Sequence, residues 1–150
     1  MPKLIYYVAA TIDGFIANNT HDLDWLDEFV LGDDATPYDD FFPTFVLSHR
    51  TLPKHEGLNI TITNKAAGDI AAVAKKAANG KNVWLVGGGK TAAYFAEAGE
   101  LQQVFLTTIP VFLGTGIEVL PVSEKVSVTP KTQRFLRSGA IEILLGVNID

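Results

Sequence analysis

The chain has 150 residues, 47% hydrophobic and 19% charged, a balance that fits one globular domain (residues 1–150) and excludes a disordered or collagen-like chain. Twelve bases against seventeen acids leave a net charge of −5, which argues against nucleic acid as the main partner. The absence of cysteine removes disulfides, thiolate nucleophiles and thiolate metal sites.

Lys3 to Ala9 (KLIYYVA) is a short apolar run rich in Ile, Tyr and Val, as expected of a buried strand. Asp13-Gly14 breaks it with a turn signal, and Phe15-Ile16-Ala17 resumes. Between Asp22 and Asp40 stand eight acids and no Lys or Arg, while Trp25, Leu26, Phe29 and Val30 recur at the spacing of a short amphipathic helix. Asp22, Asp24 and Asp27 lack the glycine and the closing glutamate of a calcium loop. Thr44 to Ser48 reads as a second buried strand, ended by Ser48-His49-Arg50-Thr51 and Pro53, and Asn59 to Thr63 alternates as a strand.

Ile70, Val73, Ala74 and Ala77 line one face of a helix that should close at Asn79-Gly80. Val83 to Val86 is a third strand and leads directly into Gly87-Gly88-Gly89; a helix from about Lys90 to Ala98 stops at Gly99, and Val104 to Ile109 is the next strand. The alternation from Asn59 to Ile109 predicts crossover units on a parallel sheet. The tail from Ile117 to Val147, cut by Pro121, Pro130 and Gly139, has no helical period and should add antiparallel strands. No apolar run approaches the roughly 18 residues of a membrane span, and no basic region precedes an apolar N-terminal core, so a cytoplasmic protein is expected.

Charge is unevenly placed. Residues 1–43 hold nine acids and one base, whereas residues 44–150 hold eight acids and eleven bases, so an anionic ligand should prefer the second stretch. Composition alone describes a solvated acidic face opposite a neutral one more readily than a ligand site. Val86-Gly87-Gly88-Gly89-Lys90-Thr91-Ala92 is the strongest local signal, because consecutive glycines let backbone approach a ligand and a following helix offers free N–H groups to anions. A Walker loop would need glycine where Trp84 stands. Gly87, Gly89 and Ala92 fit G-x-G-x-x-A, but the acid expected about 20 residues later is missing. Phosphate binding and a tight structural turn both remain open on these residues.

Ser48-His49-Arg50 follows a strand end, where open α/β sheets place ligands; a hydroxyl, an imidazole and a guanidinium suit a phosphate monoester, and a solvated loop is the plain alternative. His21, His49 and His55 have no ligand spacing, so no metal is expected, and the G-x-S-x-G elbow of serine hydrolases is absent.

Val8-Ala9-Ala10-Thr11-Ile12-Asp13-Gly14-Phe15-Ile16-Ala17 resembles the first strand and loop of the dihydrofolate reductase-like superfamily, in particular the branch of the reductase domain of bacterial riboflavin-biosynthesis enzymes. Leu23-Asp24-Trp25 stands where dihydrofolate reductases carry Leu-Pro-Trp. Val86 to Gly89, Leu106-Thr107-Thr108-Ile109 and Leu113-Gly114-Thr115-Gly116-Ile117 match later motifs in the same order. The resemblance implies a three-layer α/β/α fold with a mixed, mostly parallel sheet and antiparallel C-terminal strands. It also implies an NADPH-dependent reductase, cytoplasmic and often homodimeric, acting on dihydrofolate or on a pyrimidine ribosylamine of riboflavin biosynthesis. A non-catalytic nucleotide-binding relative is the rival expectation, and a structural module whose triglycine only turns the chain is a third.

By the same resemblance Ala9 and Ala10 frame the nicotinamide edge. Gly87, Gly88, Gly89, Lys90 and Thr91 hold the pyrophosphate, and Ser48, His49 and Arg50 receive the 2′-phosphate. Trp25 and Thr107 fall on the substrate side. Dihydrofolate reductases carry a carboxylate on the first helix; Asp27 and Glu28 are the candidates here, out of register, and on their own read equally as solvent-facing acids. The branch also carries a strand and helix with a Gly-Arg-Lys-Thr-Tyr-like stretch, whereas this chain passes directly from Phe42 to Pro43-Thr44.

Overall fold

Leu4–Thr11 forms strand β1, and it is buried at both ends and half-buried between them. A strand apolar on both faces must be covered on both, which suits the interior of a parallel sheet. A computed structural model describes the protein over residues 2–22, 24–27, 44–50 and 60–149. The further elements in chain order are β2 (Phe15–Ala17), α1 (Asp24–Asp27), β3 (Thr44–Leu47), β4 (Ile60–Thr63), α2 (Ala67–Ala77), β5 (Val83–Leu85), α3 (Gly89–Glu97), β6 (Gln103–Ile109), β7 (Ile117–Glu118), β8 (Val128–Phe135) and β9 (Ile141–Val147). Phe29, Val30 and His55, invoked above, lie outside the described residues.

The main sheet runs β5-β1-β6-β9-β8. β5 and β6 both lie parallel to β1, with Tyr6 opposite Leu85 and Val104. β9 and β8 add antiparallel strands, so the fold is the expected mixed α/β sheet with an antiparallel C-terminal end. Side chains alternate across a strand, and Leu4, Tyr6, Leu85 and Val104 meet Ala67, Ile70 and Ala71 of α2 and Ala92, Phe95 and Ala96 of α3. Alanines at these helix positions let the backbones come close to the sheet. On the opposite face Ile109, Leu136 and Ala140 pack with Ala9, Val111, Leu113 and Leu26 of α1. Along that face Tyr7 stacks on Phe105, with ring centres 5.3 Å apart, and meets Trp84 edge-on at 6.4 Å.

α2 ends as its sequence predicts: Asn79 (φ 49°) and Gly80 (φ 88°) both turn left-handed after Ala78. Its start has no side-chain cap from Ala66. Instead the Ala67 N–H donates to the Tyr94 hydroxyl of α3 at 3.1 Å, which ties the two helices.

One expectation is corrected. The crossover reading places β4, β5 and β6 in one parallel sheet. Among the described residues β4 pairs only with β3, as a separate parallel ladder from Thr44↔Ile60 to Leu47↔Thr63. A cavity of about 520 Å³ lies where Phe45, Val46 and Leu47 of β3 face Val83 to Val86 at β5.

Leu101 is fully buried, and Val73 on α2 is 47% exposed. Leu101→Ala should cost about 2–5 kcal/mol by cavity formation, and Val73→Ala no more than about 0.5 kcal/mol. Urea unfolding of the two variants checks the pair; equal losses would show that the core is placed wrongly.

Candidate functional site

β1 and β5 are adjacent and parallel, but the chain leaves them on opposite sides. After β5 it enters α3, on the face with Tyr6 and Leu85; after β1 it reaches α1, whose Leu26 packs on the face with Ile109. Such a divergence opens a crevice at the carboxyl ends of the strands, the usual ligand position in open α/β sheets. Ala9 and Ala10 lie near the carboxyl end of β1, Ala10 buried, and Gly87 to Thr91 follow the carboxyl end of β5. The β2–β7 ladder adds a third wall: Gly14 accepts from the Val119 N–H at 2.9 Å, and Ile16 is the nearest group to the open side of Gly88.

The three glycines are glycine for different reasons. Gly87 has φ 129°, a conformation L side chains rarely adopt. Gly89 opens α3 packed against the 118–121 segment: an added Cβ would strike the Glu118 carbonyl and sit 3.1 Å from Pro121 Cδ. Gly88 follows a cis Gly87–Gly88 peptide at φ −83°, and an added Cβ there would meet nothing nearer than Ile16 Cδ1 at 3.9 Å. Backbone conformation accounts for Gly87 and packing for Gly89, while the space beside Gly88 is open towards Ile16. The first hydrogen bond into the helix is Ala92 N–H to Gly88 O at 3.0 Å, and the N–H groups of Gly89, Lys90 and Thr91 precede it at the helix start.

Ser48, His49 and Arg50 follow β3, with Ser48 half-buried and the other two exposed. The Ser48 N–H donates to Thr63 O at 3.0 Å, and Ser48 Oγ accepts from the Arg50 N–H at 3.0 Å. The cavity between the ladders is lined by Leu47 on this side and by Gly87 and Thr91 on the other. Gly87 and Thr91 of the glycine stretch thus line the cavity, whereas Ser48, His49 and Arg50 follow its lining residue Leu47 without lining it themselves; its size is usual for ligand pockets.

No family model matches the chain. It is 28% identical over 142 residues to the uncharacterized protein YwjB of Bacillus subtilis strain 168, with 77% of this chain and 80% of YwjB covered. Its structure is similar to a putative riboflavin biosynthesis protein from Shewanella sp. PV-4, with a TM-score of 0.79 at 17% identity over 97% of this chain and 99% of the other. It is also similar to a diaminohydroxyphosphoribosylaminopyrimidine deaminase/5-amino-6-(5-phosphoribosylamino)uracil reductase from Thermotoga maritima, with a TM-score of 0.64 at 15% identity over 98% of this chain and 57% of that one. The fold is that of riboflavin-biosynthesis reductases.

Within this reductase-like fold, Ala9 and Thr107 are direct neighbours on β1 and β6, as are Ala10 and Thr108. Thr107 is buried. Trp25 lies in α1 and Asp27 ends it; Glu28 is outside the described residues. Lys90 is exposed at the helix start. His21 is exposed and left-handed at φ 63°, and the described residues contain no cluster of three metal-ligating side chains.

Two residues that organise the crevice escape sequence reading. Tyr6 donates its hydroxyl to Val119 O at 3.0 Å beneath Gly87, and burial pushes its pKa up to about 12. Asp13, which reads only as half of a turn dipeptide, is a clasp. Its Oδ1 accepts from the Thr11 hydroxyl at 2.5 Å and from the Leu113 N–H at 3.2 Å, and its Oδ2 accepts from the Gly114 N–H at 2.8 Å. Thr11 in turn accepts from the Phe15 N–H at 3.0 Å. The threonine two residues before Asp13-Gly14 was the available signal.

The Thr11 hydroxyl, followed by the Gly114 and Leu113 N–H groups, holds the Asp13 carboxyl below its ordinary value of 3.8. A depressed carboxyl stabilises the fold above its unfolded pKa, and that contribution is lost as pH falls through the folded pKa. The stability difference between the parent and Asp13→Asn should therefore be full near pH 6 and shrink below about pH 4. Urea midpoints from pH 2 to 6 test this; a constant difference would rule out the clasp as an ionic one.

Proposed function

We propose that the chain is an NADPH-dependent reductase of a small heterocyclic substrate, with the cofactor lying across the crevice between β1 and β5. The reading is carried by the switch point that ends at an open glycine and a helix start. The reductase fold of the Thermotoga protein supports it. The cofactor would supply the hydride. Gly88 to Thr91 would bind the pyrophosphate through backbone N–H groups. Ala9 and Ala10, side chains too small to obstruct a ring, would seat the nicotinamide edge. Arg50, with Ser48 and His49 beside it, would take the 2′-phosphate from across the cavity. Asp13 and Tyr6 hold the surrounding segments in place and help keep water out.

Gly88→Val should bind NADPH far more weakly, with circular dichroism to check that the variant is folded. Arg50→Ala should weaken NADPH binding by roughly ten- to a hundredfold, the equivalent of a charge-assisted contact of about 1.5–3 kcal/mol. It should leave NADH nearly unchanged. Calorimetric titration of both cofactors at one salt concentration separates the roles, and equal losses for NADPH and NADH would remove Arg50 from the 2′-phosphate. The lack of β3–β5 pairing among the described residues favours a second reading, a nucleotide-binding protein that reduces nothing; in that case NADPH binds but is not oxidised with any heterocycle offered.

A homodimer is part of the proposal. Phe112 and Phe135 are 76% and 73% exposed, and apolar surface of this kind is what a second copy covers. Phe135 ends the edge strand β8, whose middle is blunted by Pro130 and Lys131. Light scattering at tens of micromolar decides the matter: a monomer for the parent rejects the dimer, and Phe135→Ser should shift a dimer towards monomer.

A further inference from the structure

The charged residues of α3 are Lys90 and Glu97, and each stands at the end that the helix dipole disfavours. Lys90 follows Gly89 at the start, Glu97 closes the helix, the first turn holds no acid and the last turn no base. A surface helix under no other demand would place them the other way round. An anion bound at Gly88 to Thr91 gives Lys90 its reason. Glu97 lies roughly 12 Å from Gly89, at about 1.5 Å of rise per residue, beyond direct reach of that site.

Its partner is Ser123. Glu97 Oε1 accepts from the Ser123 N–H at 2.5 Å and from the Ser123 hydroxyl at 2.7 Å. Both residues are exposed, and the hydroxyl, followed by the N–H, holds the Glu97 carboxyl below its ordinary value of 4.5. Ser123 ends a segment that starts with β7 at Ile117 and touches other parts of the fold on its way. The Glu118 carbonyl and Pro121 lie so close to Gly89 that a Cβ there has no room. Val119 uses both of its backbone groups on other elements: its N–H donates to Gly14 O at 2.9 Å, and its carbonyl accepts from the Tyr6 hydroxyl at 3.0 Å. The segment from Ile117 to Ser123 is thus a strap, laid along α3 from its first residue to its last and pinned at Gly14 to the loop after β1.

Glycine has no side chain to interlock with a neighbour. The contact at Gly89 therefore sets how closely strap and helix approach, but not how far one slides along the other. The two bonds at Glu97 set the slide. We infer that Glu97 is a positioning residue: by holding Ser123 it fixes where the strap lies along α3, and so where the helix start at Gly88 and Gly89 stands relative to Gly14. Those are the walls between which the nucleotide is proposed to lie, and the inference rests on that reading for the ligand but not for the strap. A binding site keeps its geometry to within about 0.5 Å only when groups outside it are locked as well.

Charge and positioning predict opposite signs for Glu97→Ala. Removing an acid from the helix should by charge alone tighten NADPH binding slightly. Losing the hold on Ser123 should weaken it, roughly tenfold. Glu97→Gln removes the same charge but keeps an oxygen to which Ser123 can donate, so it should recover most of the parent's affinity. Calorimetric titration of NADPH into the full chain and both variants, at one salt concentration, makes the comparison. Amide hydrogen exchange without nucleotide gives a second readout. In Glu97→Ala, the amides of Val119, which donates to Gly14 O, and Ala92, which donates to Gly88 O, should exchange roughly tenfold faster, while Val104 within the main sheet keeps its parent rate. Ser123→Ala leaves the backbone donor; it should show the same changes in smaller measure and carries the test if Glu97→Ala does not fold.

Unchanged or tighter NADPH binding by a folded Glu97→Ala would overturn the inference, as would equal weakening in Glu97→Ala and Glu97→Gln. Faster exchange spread evenly over Val119, Ala92 and Val104 would make Glu97 a plain stabilising group and overturn it too. If the parent does not bind NADPH, the cofactor reading falls; selective acceleration at Val119 and Ala92 then sustains the strap, and unchanged exchange there rejects it.

Discussion

The structure depends on the need to cover both faces of β1. A strand apolar on both sides cannot sit at a surface, so parallel neighbours flank it and helices or loops close over it from above and below. Because β1 and β5 lie side by side, covering both faces sends the chain in opposite directions at their shared end. The crevice follows from that divergence and needs no residue dedicated to making it. At that end of the sheet stand alanines on β1 and an open glycine and a helix start after β5.

The frame was legible because its signals are local. The apolar run of β1, the left-handed exit of α2 at Asn79-Gly80, and the glycines after β5 each carry their own physical reason. The switch point follows once strand order is known, and strand order is what the run of elements from β4 to β6 nearly supplied. It failed at β4, whose sequence alternates like any strand but which among the described residues pairs with β3 alone. Nothing in a four-residue strand records which ladder it joins.

Long-range polar contacts were the other blind region. Asp13 reaches Leu113 and Gly114 across about two-thirds of the chain, and Glu142 meets Arg134 only because β8 and β9 form a hairpin in that register. Such residues look ordinary in a sequence, since acids are common and most are solvated. The triglycine shows the converse problem: three identical letters hide one conformational, one open and one packing role. Only the surrounding atoms distinguish them.

The divided ladder has a consequence for how the molecule breathes. β3 and β4 share backbone hydrogen bonds with each other but none with β5 among the described residues, and Leu47 joins their packing to the main core. Opening this pair exposes a modest apolar area and leaves the five-stranded sheet intact, so its amides should exchange with solvent through a small local fluctuation rather than global unfolding. A nucleotide that touched Arg50 on one side and Gly88 on the other would span that seam. It would then act as a mechanical staple, adding its binding free energy at the weakest joint and making the cohesion of the domain depend on nucleotide concentration.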